Sequence, residues 1–226
     1  MAKTRTVQFD SAGVASLRLC DRAELAPGMV LIETHRTAIS QGTERTFLTL
    51  GGPGGTFPFT PGYSVSGIVV EVGEGVLSLK VGDRVFAAGP HAAEVVVPEE
   101  FAVKLPAAMD FEVGCFGNIA AMALYAVRQV NLHLGDPVAI VGQGVIGLIA
   151  NQVARYAGGL PVIGLDIDPV RLELSLKFGA DVAVDPRDDQ ALADVLCALP
   201  GGGVEAAVEL SGAGQGIDTA LRVTRE

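Results

Sequence analysis

The chain has 226 residues, and its 26 acidic side chains outnumber the 16 basic ones, which gives a formal net charge of −10. Hydrophobic residues make up 49% of the chain and charged residues 19%, so extended disorder is excluded and a sizeable core can form. The acidic balance, without any cluster of Lys or Arg, argues against nucleic acid as a partner. We therefore expect one large globular domain or two small ones.

The cysteines and the hydropathy pattern indicate a cytoplasmic protein. Cys20, Cys115 and Cys197 are widely spaced, which excludes a fully paired disulfide framework and a zinc site built from cysteines alone. No stretch approaches the ~18 apolar residues that a membrane span needs, and no apolar signal segment follows the N-terminus. We therefore expect no membrane contact, no secretion and a reducing compartment.

Up to about residue 110, short β-branched runs are separated by turn residues. Strands are predicted at residues 30–34, 66–72, 84–87 and 94–97. Glycine, proline and aspartate at residues 51–55 and 81–83 predict turns. This half of the chain is therefore predicted to form a small, mostly β barrel.

After residue 110, predicted strands and helices alternate. Strands are predicted at residues 138–141, 162–165, 182–184 and 206–210. Helices are predicted at residues 118–130, 145–156, 169–178, 188–199 and 216–223, and Asp168 before Pro169 is the expected N-cap of the third of these. Such alternation is typical of a parallel, doubly wound α/β sheet.

A glycine motif, Gly-Gln-Gly-Val-Ile-Gly, lies between the first strand and the helix of this second half. In a dinucleotide-binding turn, Gly142 would allow the tight turn, Gly144 the approach of the pyrophosphate, and Gly147 the packing of helix on strand. The main-chain N–H groups of Val145 and Ile146 would face the phosphates at the start of the helix. The motif therefore predicts a dinucleotide site.

An acidic residue follows the second strand, where a ribose-binding carboxylate is expected. Asp166 lies 24 residues after Gly142, and its carboxylate would accept hydrogen bonds from ribose hydroxyls and repel a 2′-phosphate. NAD(H) is therefore expected in preference to NADP(H), although Arg171 could soften that preference by reaching an adenosine-side phosphate. Ser211, after the fourth strand, is a further candidate cofactor contact. The alternative is that the glycines are ordinary turn residues and that Asp166 only caps the next helix.

Taken together, these segments resemble the medium-chain dehydrogenase/reductase superfamily. The resemblance is carried by residues 61–73, 81–85, 138–147 and 165–171. It implies a GroES-like β barrel over residues 1–116, a Rossmann domain over residues 117–226 and NAD(P)-dependent oxidoreductase activity. Chains of this kind continue for roughly a hundred further residues and form homodimers, so the Rossmann sheet is expected to be incomplete and the chain to be a fragment of a longer polypeptide.

The chain differs from the zinc enzymes of this superfamily at the positions where those enzymes hold their metal. The first ligand position falls on Ser40 or Gln41, the His-Glu pair is replaced by Tyr63-Ser64, and the last position falls on or near Asn118. A tetrahedral catalytic zinc needs three thiolate, imidazole or carboxylate ligands. The chain therefore looks like a member of a zinc-lacking branch, similar to the group around bacteriochlorophyllide hydroxyethyl dehydrogenase, and no zinc is expected.

Hydride transfer to a ketone carbon places negative charge on the ketone oxygen. Without a metal, hydrogen-bond donors must stabilise this charge, and each donor contributes ~3 kcal/mol. Tyr63 is the leading candidate for general acid/base or oxyanion donor, and packing alone is the alternative role for its ring. The resemblance places Thr43 at the hydroxyl of a proton relay, and Asn118 could supply an amide donor. His91 remains open between a loop-anchoring residue and a residue near the cofactor.

Three functions remain open from the sequence. The first is a zinc-independent alcohol/ketone oxidoreductase for a bulky, largely uncharged small molecule, since no cluster of arginines indicates a charged substrate. The second is a quinone or enoyl reductase that acts on a C=C bond. The third is a nucleotide-binding protein without catalytic activity.

Overall fold

The structure, a computed structural model, describes residues 2–225. The chain falls into two units, one within residues 1–118 and the other within residues 119–226. The sequence-based boundary lies two residues earlier, between residues 116 and 117. Over the described part of the chain, every helix is too short or too polar to cross a membrane.

The first unit consists mainly of antiparallel strands. Its elements in chain order are β1 (Lys3–Ser11), β2 (Val14–Asp21), β3 (Met29–Thr37), α1 (Gln41–Leu50), β4 (Val65–Val72), β5 (Arg84–Ala87), β6 (Glu94–Pro98), β7 (Ala102–Lys104) and α2 (Phe111–Gly114). Strands β1 and β2 form a hairpin, and the others form a sheet in the order β6-β3-β4-β5-β7. Because the end strands β6 and β7 are joined only by the short 3₁₀ turn Glu99–Phe101, this sheet must curl towards a barrel.

Alternating β-branched residues form the core of this sheet. Val30 and Ile32 of β3, Val65 and Val69 of β4, and Val85 of β5 are completely buried. Alternate positions of a strand point to the same face, so these side chains pack together on the inner side of the curled sheet. The predicted mostly β organisation of this half is confirmed.

The second unit alternates helices and parallel strands as predicted. Its elements are α3 (Gly117–Gln129), whose first two residues still belong to the first unit, β8 (Val138–Val141), α4 (Val145–Tyr156), β9 (Val162–Leu165), α5 (Pro169–Lys177), β10 (Val182–Val184), α6 (Asp189–Cys197), β11 (Ala206–Glu209) and α7 (Gly214–Val223). The strand order is β10-β9-β8-β11, which is the 3-2-1-4 order of a doubly wound nucleotide-binding sheet.

The register of these strands places their carboxyl ends together. Val141, at the end of β8, pairs with Leu165 of β9 on one side and with Glu209 of β11 on the other. The loops that follow these strands therefore leave the sheet at the same edge. In open parallel sheets this edge is where ligands bind.

Candidate functional site

The glycine loop after β8 is shaped both by its packing and by an open space. Gly142 has φ +91°, and a Cβ there would lie 2.5 Å from the main-chain nitrogen of Ser211. A Cβ on Gly147 would lie 1.9 Å from the carbonyl oxygen of Gly142. A Cβ on Gly144 would meet no described atom within 4 Å. The first and third glycines are thus required by the protein itself, whereas the middle one borders open space.

Helix α4 begins directly after this loop without a side-chain cap. Gly144 is its N-cap residue, so no side chain occupies the N–H groups of the first turn. Val145 and Ile146 are the first helical residues, and their N–H groups have no acceptor within the helix, because the first helical bond runs from the Leu148 nitrogen to the Gly144 carbonyl oxygen. Together with the positive end of the helix dipole, these groups can bind the phosphates of a dinucleotide.

The carboxylate of Asp166 lies beside the glycine loop. One of its oxygens accepts a hydrogen bond from the main-chain nitrogen of Gln143 at 2.7 Å, and the other accepts one from that of Asp168 at 3.0 Å. The guanidinium of Arg171 is 3.6 Å away. Because an ionised carboxylate has about four acceptor positions, Asp166 retains capacity for ribose hydroxyls. This arrangement fits the adenosine ribose of a dinucleotide.

The cap of the following helix is a different aspartate. Asp168 is the N-cap of α5, its side chain accepts a hydrogen bond from the main-chain nitrogen of Val170 at 2.9 Å, and Pro169 follows at the first helical position. The predicted role of Asp168 is confirmed. Since α5 is capped in this way, the alternative that Asp166 serves only as its cap has no support.

A pair of neutral amides lies beneath the glycine loop, and sequence reasoning did not identify it. The Gln143 side chain is 1% exposed and that of Asn151, on the inner face of α4, is fully buried. The Asn151 amide donates to the Gln143 side-chain oxygen at 2.7 Å, and the Gln143 amide donates to the carbonyl oxygen of Ile140 at 2.7 Å. The only signal in the sequence was a polar residue at an otherwise apolar helix position.

Ser211 borders the glycine loop through its main chain. Its hydroxyl and its main-chain nitrogen both donate to the carboxylate of Glu209, the nitrogen at 2.7 Å. Its hydroxyl also accepts a hydrogen bond from the main-chain nitrogen of Ala213 at 3.1 Å. The Ser211 side chain therefore organises the start of α7, and its role as a cofactor contact stays a prediction.

In the first unit, the hydroxyl that the resemblance assigns to a proton relay, that of Thr43, lies at the start of α1. Ser40 is the N-cap residue, and its hydroxyl donates to that of Thr43 at 3.3 Å. Glu44 reaches back and accepts a hydrogen bond from the main-chain nitrogen of Ser40 at 2.7 Å. Thr43 is exposed, so its hydroxyl can accept a further partner.

Glu44 also takes part in a buried network that the sequence did not reveal. Its second oxygen is 2.9 Å from Nε2 of His91, and Nδ1 of His91 is 2.8 Å from the hydroxyl of Thr37. Glu44 and His91 are both 8% exposed. A Cβ on Gly62 would lie 2.5 Å from the main-chain nitrogen of His91, so His91 also packs against the segment before Tyr63. The structure thus places His91 as an anchor that joins β3, α1 and this segment.

The segment that contains Tyr63 is fixed through its main chain and its neighbour. The Asn118 amide donates to the carbonyl oxygen of Tyr63 at 3.3 Å. The hydroxyl of Ser64 is fully buried and donates to the carbonyl oxygen of Cys115 at 2.6 Å. Burial raises the pKa of the Cys115 thiol, which keeps it protonated. The Tyr63 side chain remains half-buried.

The donor set of the first unit does not fit a tetrahedral zinc ion. Ser40, Tyr63, Ser64 and Asn118 offer hydroxyl and amide groups, and two of these are committed to main-chain carbonyls. Across residues 2–225, no group of three or more His, Cys, Asp and Glu side chains is arranged to hold a metal ion. Zinc in proteins is held by thiolate, imidazole and carboxylate ligands.

Two family models match the chain. Residues 26–107 match the alcohol dehydrogenase GroES-like domain, and residues 145–226 match the zinc-binding dehydrogenase family. The chain is 35% identical over 184 residues to (R,R)-butanediol dehydrogenase of Bacillus subtilis, covering 70% of this chain and 53% of that protein. It is 30% identical over 203 residues to D-xylulose reductase A of Aspergillus niger, covering 74% of this chain and 57% of that protein. The chain thus spans little more than half the length of these relatives.

Solved structures agree with the architecture. The crystal structure of 2R,3R-butanediol dehydrogenase from Bacillus subtilis superimposes with a TM-score of 0.85 at 28% identity, over 98% of this chain and 74% of that chain. A protein from Sinorhizobium meliloti 1021 that was solved with NADP bound gives a TM-score of 0.86 at 28% identity, over 100% and 75% of the two chains. These matches confirm the predicted fold, a GroES-like domain followed by a Rossmann sheet.

Proposed function

Because the chain belongs to the medium-chain dehydrogenase/reductase superfamily, we propose that it acts as a nicotinamide-dependent oxidoreductase that interconverts an alcohol and a ketone. The observation that carries this proposal is the position of Asp166 beside the open loop at Gly144, at the carboxyl edge of parallel strands. The two relatives named above are a butanediol dehydrogenase and a D-xylulose reductase, which favours carbonyl and alcohol chemistry over reduction of a C=C bond.

The cofactor of this proposal is NAD(H) rather than NADP(H). Asp166 places a negative charge where a 2′-phosphate would have to lie, and two main-chain N–H groups keep its carboxylate in position. Arg171 lies 3.6 Å from this carboxylate and 3.9 Å from that of Asp168, so its charge is already shared between two acids. Selectivity for the unphosphorylated ribose therefore follows from local electrostatics.

The proposal also includes catalysis without zinc, which sets this chain apart from the zinc-binding dehydrogenases that its second half matches. It is supported by the hydroxyl and amide donors at Ser40, Tyr63 and Asn118, which are weak ligands for zinc. The bound nicotinamide would supply or accept the hydride. The Tyr63 phenol would donate a proton to the ketone oxygen during reduction and accept it from the alcohol during oxidation. Thr43 would pass that proton on, and Asn118 would fix the Tyr63 main chain.

Cofactor titration tests the role of Asp166 in binding the dinucleotide. Wild-type protein should bind NADH saturably, more tightly than NADPH, when NADH fluorescence is followed. Asp166→Ala should weaken NADH binding about tenfold or more, equivalent to ~1.4 kcal/mol, and remove the preference over NADPH. The control Asp194→Ala removes an exposed carboxylate from α6 and should change neither affinity. Unchanged binding in Asp166→Ala would overturn the proposal.

A turnover screen tests the chemistry and separates the alternatives. Secondary alcohols, ketones, quinones and enones should be offered with NAD(H), with and without a chelator. We expect alcohol or ketone turnover that survives the chelator and falls about 100-fold in Tyr63→Phe, as for loss of an oxyanion donor. Tyr156→Phe, at a 93% exposed tyrosine, is the control. Turnover of enones or quinones alone would favour the C=C reductase, and NADH binding without any turnover would favour a non-catalytic protein.

Membership of the superfamily also supports proposals on the substrate, the oligomeric state and the location. We propose a bulky, largely uncharged small molecule as the substrate, a homodimer for a full-length chain, and a cytoplasmic location. Gel filtration with light scattering tests the dimer.

A further inference from the structure

The buried amides of Gln143 and Asn151 are not accounted for by the dinucleotide motif. Asn151 lies on the inner face of α4 with the buried residues Ala150 and Ala154, where an apolar side chain would avoid the cost of burying an amide. Its side-chain oxygen is buried and has no hydrogen-bond partner within the described residues. Stability alone therefore does not explain an asparagine at this position.

The surroundings of the Gln143 side chain are shaped to receive it. Gly164 of β9 pairs with Ile140 of β8, and a Cβ on Gly164 would lie 3.2 Å from the Gln143 side-chain amide carbon. The same Cβ would lie 2.6 Å from the hydroxyl of Ser175. A side chain at position 164 would thus crowd the space that Gln143 occupies. The glycine in this strand, the glutamine in the loop and the asparagine in α4 fit one another.

The Gln143 side chain is held at both ends, and this fixes its main chain. Its oxygen accepts from Asn151 and its amide donates to Ile140, each at 2.7 Å. The main-chain nitrogen of the same residue donates to Asp166 at 2.7 Å. An anchored side chain limits rotation of the loop, so this N–H keeps its direction towards the carboxylate.

We propose that the Gln143–Asn151 amide pair is a positioning device that orients Asp166 and thereby sets the preference for NAD(H) over NADP(H). This inference rests on the proposed nicotinamide function. Gln143 and Asn151 do not touch the cofactor in this proposal; they act through the main-chain nitrogen of Gln143. A carboxylate held less firmly binds ribose hydroxyls less well and excludes a 2′-phosphate less strictly.

The test separates stability from positioning by replacing both amides together. In Gln143→Met/Asn151→Leu no side-chain amide is left unpaired, and exchange of both hydrogen-bonding partners for apolar groups of similar size is nearly neutral. Only the Ile140 carbonyl oxygen loses a hydrogen bond, so we expect an unfolding temperature within about 5 °C of that of the wild type. We also expect NADH affinity about fivefold weaker and a similar fall in the ratio of NADH to NADPH affinity.

The Asp166→Ala background shows whether the pair acts through Asp166. There, the double substitution should change NADH affinity less than about twofold, because the group it positions is absent. A double variant that folds and keeps wild-type affinity and selectivity would overturn the inference while leaving the proposed function intact. Failure of the wild type itself to bind NADH would overturn both.

A milder variant covers the case in which the double variant does not fold. Asn151→Ala removes one bond of the pair and adds no bulk. We expect a fall of about twofold in the ratio of NADH to NADPH affinity, measured at a temperature where the variant is fully folded. An unchanged ratio in this variant would contradict the positioning role.

Discussion

Both units bury a polar network, but the two networks differ in the charge of their groups and in how far apart along the chain their residues lie. In the first unit, the Glu44 carboxyl and the His91 imidazole lie 2.9 Å apart, and the two residues are 47 positions apart in the chain. In the second unit, the neutral amides of Gln143 and Asn151 are eight positions apart, and the carboxylate that the Gln143 main chain contacts, that of Asp166, lies at the edge where ligands bind in open parallel sheets.

This difference indicates which role each network has in its unit. A carboxyl–imidazole pair joins distant segments, and removal of either partner leaves the other buried without its counterpart. An amide pair can be replaced as a whole by apolar groups at little cost. The first network therefore secures the fold around Tyr63, whereas the second, in the positioning role that we propose, adjusts the dinucleotide site.

The largest effect should come from breaking the first network. His91→Ala leaves the buried Glu44 carboxyl with only the hydrogen bond from the Ser40 main-chain nitrogen, and we expect a loss of about 3–5 kcal/mol in the free energy of unfolding. Denaturation by urea, followed by circular dichroism, measures it. His133→Ala is the matched control, because His133 pairs with Asp136 while 76% exposed, and it should cost less than about 0.5 kcal/mol. Equal losses in the two variants would contradict the comparison.

The second effect distinguishes packing from ligand binding within the glycine loop. Gly147→Ala places a Cβ against the Gly142 carbonyl, and we expect a loss of about 3 kcal/mol in the free energy of unfolding. Gly144→Ala adds a Cβ in open space and should leave the unfolding temperature within about 2 °C of the wild type. It should nevertheless abolish measurable NADH binding, because the methyl group blocks the pyrophosphate. Retained NADH binding in Gly144→Ala would place the pyrophosphate elsewhere.

The second unit could be predicted from the sequence almost element by element. Strand β8 and helix α4 have the predicted bounds, because a buried parallel strand is a short apolar run and the following helix has its own periodicity. The glycine spacing indicated the turn, and Asp168-Pro169 indicated a helix start. All of these signals are local in the chain.

The first unit was predicted less completely. Helix α1 was missed because its sequence contains Gly42 and three threonines, which are poor helix formers. The hairpin of β1 and β2 was missed because two of the buried positions of β1 are Thr4 and Thr6, so burial in this strand does not follow an apolar pattern. The contact between Glu44 and His91 depends on how the sheet curls, which no local pattern encodes. The inward direction of the Gln143 side chain is likewise invisible in a motif that specifies only the glycines.

Several carboxyl groups of the first unit are stabilised in their ionised form. A hydrogen bond from Arg18 lowers the pKa of Asp10, and one from Lys104 lowers the pKa of Asp83. Main-chain and side-chain hydrogen bonds lower the pKa of Glu99. A carboxyl group with a lowered pKa in the folded state stabilises the fold above its unfolded-state pKa, and this contribution is lost as the pH falls through the folded-state pKa.

Acid should therefore affect the first unit more than the second. In the described part of the second unit, the corresponding lowered pKa is that of Asp185, which accepts a hydrogen bond from Arg187. We expect stability to fall below about pH 4, with the first unit losing amide protection at a higher pH than the second. Pulsed hydrogen exchange with mass spectrometry resolves the two units. Earlier loss of protection in the second unit would contradict this expectation.

The smallest effect should come from Arg171. Its guanidinium lies 3.6 Å from Asp166 and is 44% exposed, so solvent screens its charge. We expect Arg171→Ala to weaken NADPH binding about twofold and NADH binding less than that. Arg155→Ala, at a comparably exposed arginine of α4, should change neither affinity. A tenfold loss of NADPH affinity in Arg171→Ala would instead make Arg171 a phosphate-binding residue.

The central claim is that the main-chain amides at the start of α4 bind the diphosphate of a nicotinamide dinucleotide. The most direct measurement is a titration of ¹⁵N-labelled protein with NADH, followed by the amide signals of Gly144, Val145 and Ile146. We expect these three signals to shift saturably, with one dissociation constant that matches the fluorescence titration. Saturable binding that leaves them unmoved, or no binding at all, would contradict the account.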